Sequence, residues 1–151
     1  MIDVGQPFPD FSLQDQDGTV VTKADLKGAK AVVYFYPKDD TSGCTAEACG
    51  FRDAIPDFGP VRVIGVSPDP PNKHKKFIAK YGLNFTLLAD PDKALIQACG
   101  LWIEKTLYGR KYMGVDRTTV LTDEAGTVAM LWRKVKPEGH AAEVLAVLKE
   151  T

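Results

Sequence analysis

The sequence predicts an α/β fold with a central mixed β-sheet flanked by helices and an N-terminal β-hairpin extension. Three observations carry that prediction. A continuously apolar run, residues 31–36, and a second strand-like run, Val61-Arg-Val-Ile-Gly-Val-Ser67, are separated by a helix-like stretch, and the order strand, helix, strand spells a parallel βαβ unit. Residues 117–122 and 127–133 flank the turn Asp123-Glu-Ala-Gly126, an antiparallel hairpin signal. Near the end, Ala141, Val144, Leu145 and Leu148 recur at helical spacing, so one face of a last helix, about 138–149, packs on the sheet.

The elements can be justified in order. Residues 5–26 hold Pro7, Pro9, a short Phe11-Ser-Leu run, an Asp15-Gln-Asp-Gly turn and Thr19-Val-Val-Thr, which together read as a hairpin ahead of the main unit. The first core strand is read over residues 30–36, and after Lys30 every position is apolar or aromatic, as in a strand covered on both faces. Pro37 ends that strand. Asp39, Asp40, Thr41 and Ser42 are N-cap types, Gly43 loosens the turn, and a helix is expected from Thr45 to about Ile55. After the strand at 61–67, Asp69-Pro-Pro-Asn72 opens a helix over about 73–81. Phe77, Ile78 and Tyr81 share its apolar face, and Gly82 stops it. His74, inside Lys73-His-Lys-Lys76, is assigned to the solvated face, and His140 to the first turn of the last helix.

Phe85-Thr-Leu-Leu reads as a short strand, and Asp90-Pro-Asp92 as the cap of a short helix ended by Gly100. Cys99, on that helix's apolar side, is expected to be a buried structural thiol. Residues 101–116 show no clear period and are read as a long functional loop with Trp102 bordering the site, whereas Trp132 packs on the hairpin. After the extension the order is βαβ, a helical crossover, then ββα, which is that of a thioredoxin fold. Residues 1–151 are the length of one domain.

Composition narrows the function. Nineteen basic and twenty acidic residues leave a net charge of -1, which argues against partners bound by bulk charge such as nucleic acid or an anionic membrane. No stretch approaches a membrane span, and the first residues lack the basic and apolar regions of a secretory signal, so a cytoplasmic address is expected. Three cysteines are too few and odd in number for a disulfide framework, and thiol chemistry in a reducing compartment fits better. Zinc is poorly supported, because Cys44 and Cys49 find no second ligand pair beyond the two histidines, His74 and His140.

Cys44 is the best candidate for a reactive thiol. In the first turn of its helix, unpaired N–H groups and the helix dipole favour the thiolate. A thiol pKa lowered from about 8.5 to about 6 would raise the thiolate fraction at neutral pH about thirty-fold, partly offset by lower nucleophilicity. That gain alone does not make a fast enzyme, so a group that polarises the substrate is also needed.

In this context Pro37-x-x-x-Thr41-x-x-Cys44 resembles the active-site signature of the peroxiredoxins, thiol peroxidases that use neither metal nor organic cofactor. The longer string Tyr34-Phe-Tyr-Pro-Lys-Asp-Asp-Thr-Ser-Gly-Cys-Thr-Ala-Glu-Ala-Cys, followed by Phe51-Arg-Asp, is similar to the bacterioferritin comigratory protein (BCP) or PrxQ subfamily. Tyr108-Gly-Arg-Lys-Tyr-Met-Gly-Val and Arg117-Thr-Thr-Val-Leu-Thr-Asp extend the likeness over the chain. Ser42 departs from it, since relatives often carry proline there.

The resemblance implies a peroxiredoxin-type thioredoxin fold and a role for each matching residue. Cys44 would be the peroxidatic cysteine, Thr41 the hydroxyl that binds peroxide and thiolate, Pro37 a shield for the pocket, and Arg117 the cation that holds the thiolate and polarises the peroxide. Cys49 matches the resolving cysteine of members that carry it in the same helix. Glu47 is open between orienting Arg117 and a solvated position in the first turn. The implied partners are a hydroperoxide and a dithiol reductant such as thioredoxin or a glutaredoxin-like protein. Lacking an evident C-terminal dimer arm, the chain is expected to be a monomer.

Two rival readings remain at this point. A disulfide oxidoreductase on the same fold would carry Cys-x-x-Cys, where this chain has Glu47. A non-catalytic thioredoxin-like binding or chaperone domain would not depend on Cys44 at all.

Overall fold

The computed structural model describes residues 1–150 and contains nine strands and four α-helices. β1 (Ser12–Asp15) and β2 (Val20–Thr22) form the expected N-terminal hairpin, whose turn is closed by Asp15 Oδ1 accepting from the amides of Asp17 and Thr19 at 2.8 and 3.0 Å. β3 (Ala31–Phe35) leads through a loop into α1 (Ser42–Ala54), which returns to β4 (Arg62–Ser67). α2 (Pro71–Tyr81), β5 (Thr86–Ala89) and the short α3 (Ala94–Ala98) follow. Gly82 ends α2 at φ 62°, the left-handed backbone glycine adopts without strain.

The expected loop over 101–116 is instead a β-hairpin. β6 (Trp102–Leu107) and β7 (Arg110–Val115) pair antiparallel in a separate two-stranded sheet. Their connection is Tyr108-Gly109, both at positive φ (50° and 77°), the backbone of a tight two-residue hairpin turn. The ribbon touches the core only at its base, through Trp102 and Val115, so it shows no single apolar face. β8 (Thr118–Thr122), β9 (Val128–Trp132) and α4 (His140–Lys149) complete the chain.

The main sheet has the order β2-β1-β5-β4-β3-β8-β9. β3 lies parallel to β4 and antiparallel to β8, so β4-β3-β8-β9 with its helices is the mixed thioredoxin-type core that the element order predicts. Alternation along β3 divides the interior in two. Val33 and Phe35 face a cluster with α3, β7 and the N-terminal segment, while Val32, Tyr34 and Tyr36 face one with α1, α2 and α4. Gly65 on β4 makes room on the second face, where an added Cβ would come within 2.9 Å of the Tyr34 ring.

His74 is not on a solvated face. It is fully buried and lies one turn before Phe77 on the inner face of α2. The surrounding lysines mask its phase, since the inward positions are 74, 77, 78 and 81 and the exposed ones 73, 75, 76 and 80. His140 is in the first turn of α4 as expected, but buried, with Nε2 2.7 Å from Thr119 Oγ1. Trp102 does not border the reactive cysteine either. It packs in the first cluster, under the Lys93 ammonium at 4.9 Å. Trp132 packs between the β8–β9 hairpin and His140 of α4.

Candidate active site

Cys44 lies in the first turn of α1 at the carboxyl end of β3, where open α/β sheets place their ligand sites. The first bond within the helix runs from the Thr45 amide to the Thr41 carbonyl at 2.8 Å, so the amides of residues 42–44 have no partner in the helix. The side chain of Cys44 is buried in the second cluster, which also holds Tyr34, Tyr36, Ala48 and Phe51.

Arg117 comes from the bend between β7 and β8. β8 is the antiparallel neighbour of β3, with Thr118 opposite Phe35, which puts the residue before it at the same end of the sheet as the start of α1. Its carbonyl accepts from the Val135 amide at 2.9 Å. Nη2 donates to Cys44 Sγ at 3.3 Å and Nη1 to Glu47 Oε1 at 2.7 Å.

Gly43 is helical rather than a loosened turn. Its value is spatial, because a Cβ there would approach Pro137 Cγ to 3.2 Å and Arg117 Nη2 to 3.4 Å. Glycine thus leaves the guanidinium its channel to the sulfur, and Pro137 covers that approach from the segment before α4.

The electrostatics follow from burial. Glu47 is buried rather than solvated, and burial pushes its carboxyl up to about 7 although Arg117 pulls it down. Burial draws the Arg117 guanidinium downward, but Glu47 and then Cys44 outweigh it, so the cation is held more firmly than usual. Lys105 is shifted down, first by burial, and feels Asp116, Arg117 and Cys44. Its stem lies across Gly114 of β7, where an added Cβ would be 3.3 Å from Lys105 Cδ.

Of the five residues singled out in the sequence, Cys44 and Arg117 are in contact. Thr41 is the N-cap residue of α1, exposed, and its hydroxyl donates to the Lys38 carbonyl at 3.0 Å rather than to Cys44. Pro37 is half-buried at the start of the loop, and Cys49 is half-buried five residues along the helix from Cys44. All three cysteines are free thiols. Glu47, left open above, completes an Arg–Glu–Cys constellation able to hold an anionic sulfur and to present a fixed donor to an oxygen that gathers charge.

Comparison with known proteins decides the family. Residues 4–131 match the AhpC/TSA family. This chain is a peroxiredoxin of that family. It is 47% identical over 149 residues to a Coxiella burnetii relative named as a Bcp-type peroxiredoxin, covering 97% of this chain and 99% of that one. Peroxiredoxin Bcp of Bacillus subtilis is 46% identical over 151 residues, covering 99% of this peroxiredoxin and 96% of the relative. The solved structure of the Xanthomonas campestris bacterioferritin comigratory protein superposes with a TM-score of 0.91 at 40% identity, covering 98% of each chain. The thioredoxin-type fold read from the element order is shared with these neighbours. Peroxiredoxins are thiol peroxidases, so this protein is an enzyme that reduces hydroperoxides. Among the described residues, no helix is long and apolar enough to cross a membrane.

Proposed function

We propose that this peroxiredoxin reduces hydrogen peroxide and organic hydroperoxides through Cys44 as the attacking thiolate and Cys49 as the resolving thiol. The contact between Arg117 Nη2 and Cys44 Sγ, 3.3 Å, carries the reading. Cys44 attacks one peroxide oxygen, the O–O bond breaks, and the departing oxygen leaves with a proton as water or alcohol. Arg117, fixed by Glu47, supplies the donor for that developing charge, worth on the order of 3 kcal/mol in a water-poor pocket. Thr41, whose hydroxyl proton goes to the Lys38 carbonyl at 3.0 Å, retains oxygen lone pairs that can accept from the peroxide O–H. Pro37 and Pro137 limit water at the mouth. The Xanthomonas campestris relative is described by its alkyl peroxide reduction activity, which supports organic hydroperoxides as substrates here.

The Cys44 sulfenic acid then condenses with Cys49, releasing water and forming a disulfide. Residues five apart on an ideal helix have Cα atoms roughly 8 to 9 Å apart, whereas a disulfide wants less than about 7 Å. The first turns of α1 must therefore unwind in each cycle. A dithiol protein such as thioredoxin, or a glutaredoxin-like one, returns the pair to thiols by exchange. The setting we assign is a monomer in the cytoplasm, built as one domain.

The test is peroxide consumption by wild type, Cys44→Ser and Cys49→Ser with thioredoxin and its reductase supplied. Loss of all turnover in Cys44→Ser is expected, and persistent turnover there sinks the assignment. Normal turnover in Cys49→Ser makes the mechanism one-cysteine and Cys49 incidental.

A further inference from the structure

Behind the loop that leads into α1 lies a second buried charged cluster that the peroxide chemistry above does not use. The Tyr36 hydroxyl donates to Asp39 Oδ1 at 2.5 Å, and His74 Nδ1 lies 2.6 Å from Asp39 Oδ2. The amide of Asp39 donates to Asp69 Oδ2 at 2.8 Å, as does Ser67 Oγ at 2.8 Å. On its far side, His74 Nε2 is 2.9 Å from the Leu88 carbonyl. The His74 side chain is 0% exposed and that of Asp39 5%.

The partners set the proton inventory. A carbonyl only accepts, so Nε2 carries a proton. A ring nitrogen and a carboxylate oxygen 2.6 Å apart have a second proton between them, as in a charge-assisted hydrogen bond. His74 therefore holds an imidazolium against the Asp39 carboxylate, and the pair is neutral as a whole. The ligand-type atoms of Asp39, Asp69 and His74 lie within 4.8 Å of one another, a spacing that would suit a metal ion. Yet a cation would first have to displace the proton shared by His74 and Asp39, so the cluster is built as a hydrogen-bonded network.

Its location gives it a task. Asp39 is five residues before Cys44, at the centre of the loop 37–41. Tyr36 stacks on Tyr34 at 5.3 Å, and the buried Tyr34 hydroxyl feels Glu47, Cys44 and Asp39 together. With Asp69, whose carboxylate lies within 4.8 Å of the Asp39 and His74 ligand atoms, four acidic groups thus crowd one region of the interior, and Asp69 is held by the Asp39 amide and the Ser67 hydroxyl. Arg117 compensates Glu47 and the sulfur, and His74 is the counterpart for Asp39. Without it, a buried unpaired carboxylate would sit beside a site that must hold a thiolate.

We propose that His74, acting through Asp39, is a positioning residue for the Cys44 reaction. It cancels the charge of Asp39 and pins the loop 37–41 to β4, α2 and β5, so the first turn of α1 meets the peroxide in one place. The inference rests on Cys44 being the attacking thiol.

The experiment compares wild type, His74→Leu, Asp39→Asn and the double variant in hydrogen peroxide turnover, with circular dichroism and thermal melts on each. His74→Leu is expected to lower kcat/KM by about 10²-fold, the cost of a small misplacement of a reacting group. The double variant should recover about tenfold of that loss, because removing the carboxylate charge removes the need for the cation. Simple loss of packing gives no such recovery. A His74→Leu enzyme as fast as wild type, or a double variant no faster than His74→Leu, overturns the proposal. If His74→Leu does not fold, the double variant must fold and turn over, and its failure to do so assigns His74 to the core alone. Isotope-labelled histidine NMR of the wild type should show protons on both ring nitrogens at neutral pH, and a single N–H overturns the charge assignment. Retained turnover in Cys44→Ser would instead remove the reading of the site on which the inference stands.

Discussion

Cys44 and Cys99 are both buried, at 1% and 0% exposure, yet their surroundings differ in every respect that matters to a thiolate. Cys44 opens a thirteen-residue helix and has a guanidinium nitrogen 3.3 Å from its sulfur. Cys99 closes the short α3, packs among Ile2, Ile96 and Leu101, and has its thiol pushed up to about 12, chiefly by burial and then by Asp90. Burial thus decides neither reactivity nor inertness. What separates the two is a fixed cation aimed at the sulfur, together with a helix start rather than a helix end.

The largest test of that contrast is chemical. Cys44→Ser should abolish peroxide turnover, and brief alkylation of the folded wild type, read by mass spectrometry, should label Cys44 while sparing Cys99 until the chain is unfolded. Labelling of Cys99 in the folded state would break the comparison. Next in size is Arg117→Met, which removes the cation while keeping much of the volume. Initial rates should show kcat/KM for hydrogen peroxide falling by about 10² to 10³-fold, as when one oxyanion donor is lost.

A smaller effect concerns stability and its pH dependence. Glu47 has its folded-state carboxyl raised to about 7 from the usual 4.5, so the native state binds its proton more tightly than the unfolded chain. Stability from this group is full below about pH 4.5 and is lost as pH rises through about 7. Urea denaturation over that range should show wild type losing on the order of 3 kcal/mol relative to Glu47→Gln, whose amide does not titrate. Parallel pH curves for the two would remove Glu47 as a buried titrating group. The smallest effect is that of Cys99→Ala, which should cost about 1 kcal/mol of stability through a small cavity and leave peroxide turnover unchanged. A drop in turnover would give Cys99 a role it lacks here.

Much of this arrangement was legible along the chain, and the exceptions share a cause. The apolar run before Pro37, the cap-rich loop and the hairpin around Asp123 are local signals, and the elements appear where those signals lie. The ribbon 102–115 carries no strand signal in the sequence because it is solvated on both faces for most of its length, which erases the period-two pattern. Its remaining signal was Tyr108-Gly109 between two six-residue runs. The buried phase that His74 shares with Phe77 is hidden in the sequence by the three lysines around it, Lys73, Lys75 and Lys76. Glu47 could not be decided, since nothing local distinguishes a helix-start glutamate facing water from one facing an arginine seventy residues away.

The sequence by itself determined the order of elements, the family likeness and the position of Cys44 at a helix start, because these depend on periodicity, caps and short motifs between neighbours. Only the tertiary structure decided which cation reaches the sulfur, that Gly43 and Pro137 shape its channel, and that Asp39 is paired with His74. Those facts arise where β3, β8, α1 and α2 meet. Contacts between residues distant in the chain, and the burial that sets their charges, come into being only when the sheet is assembled.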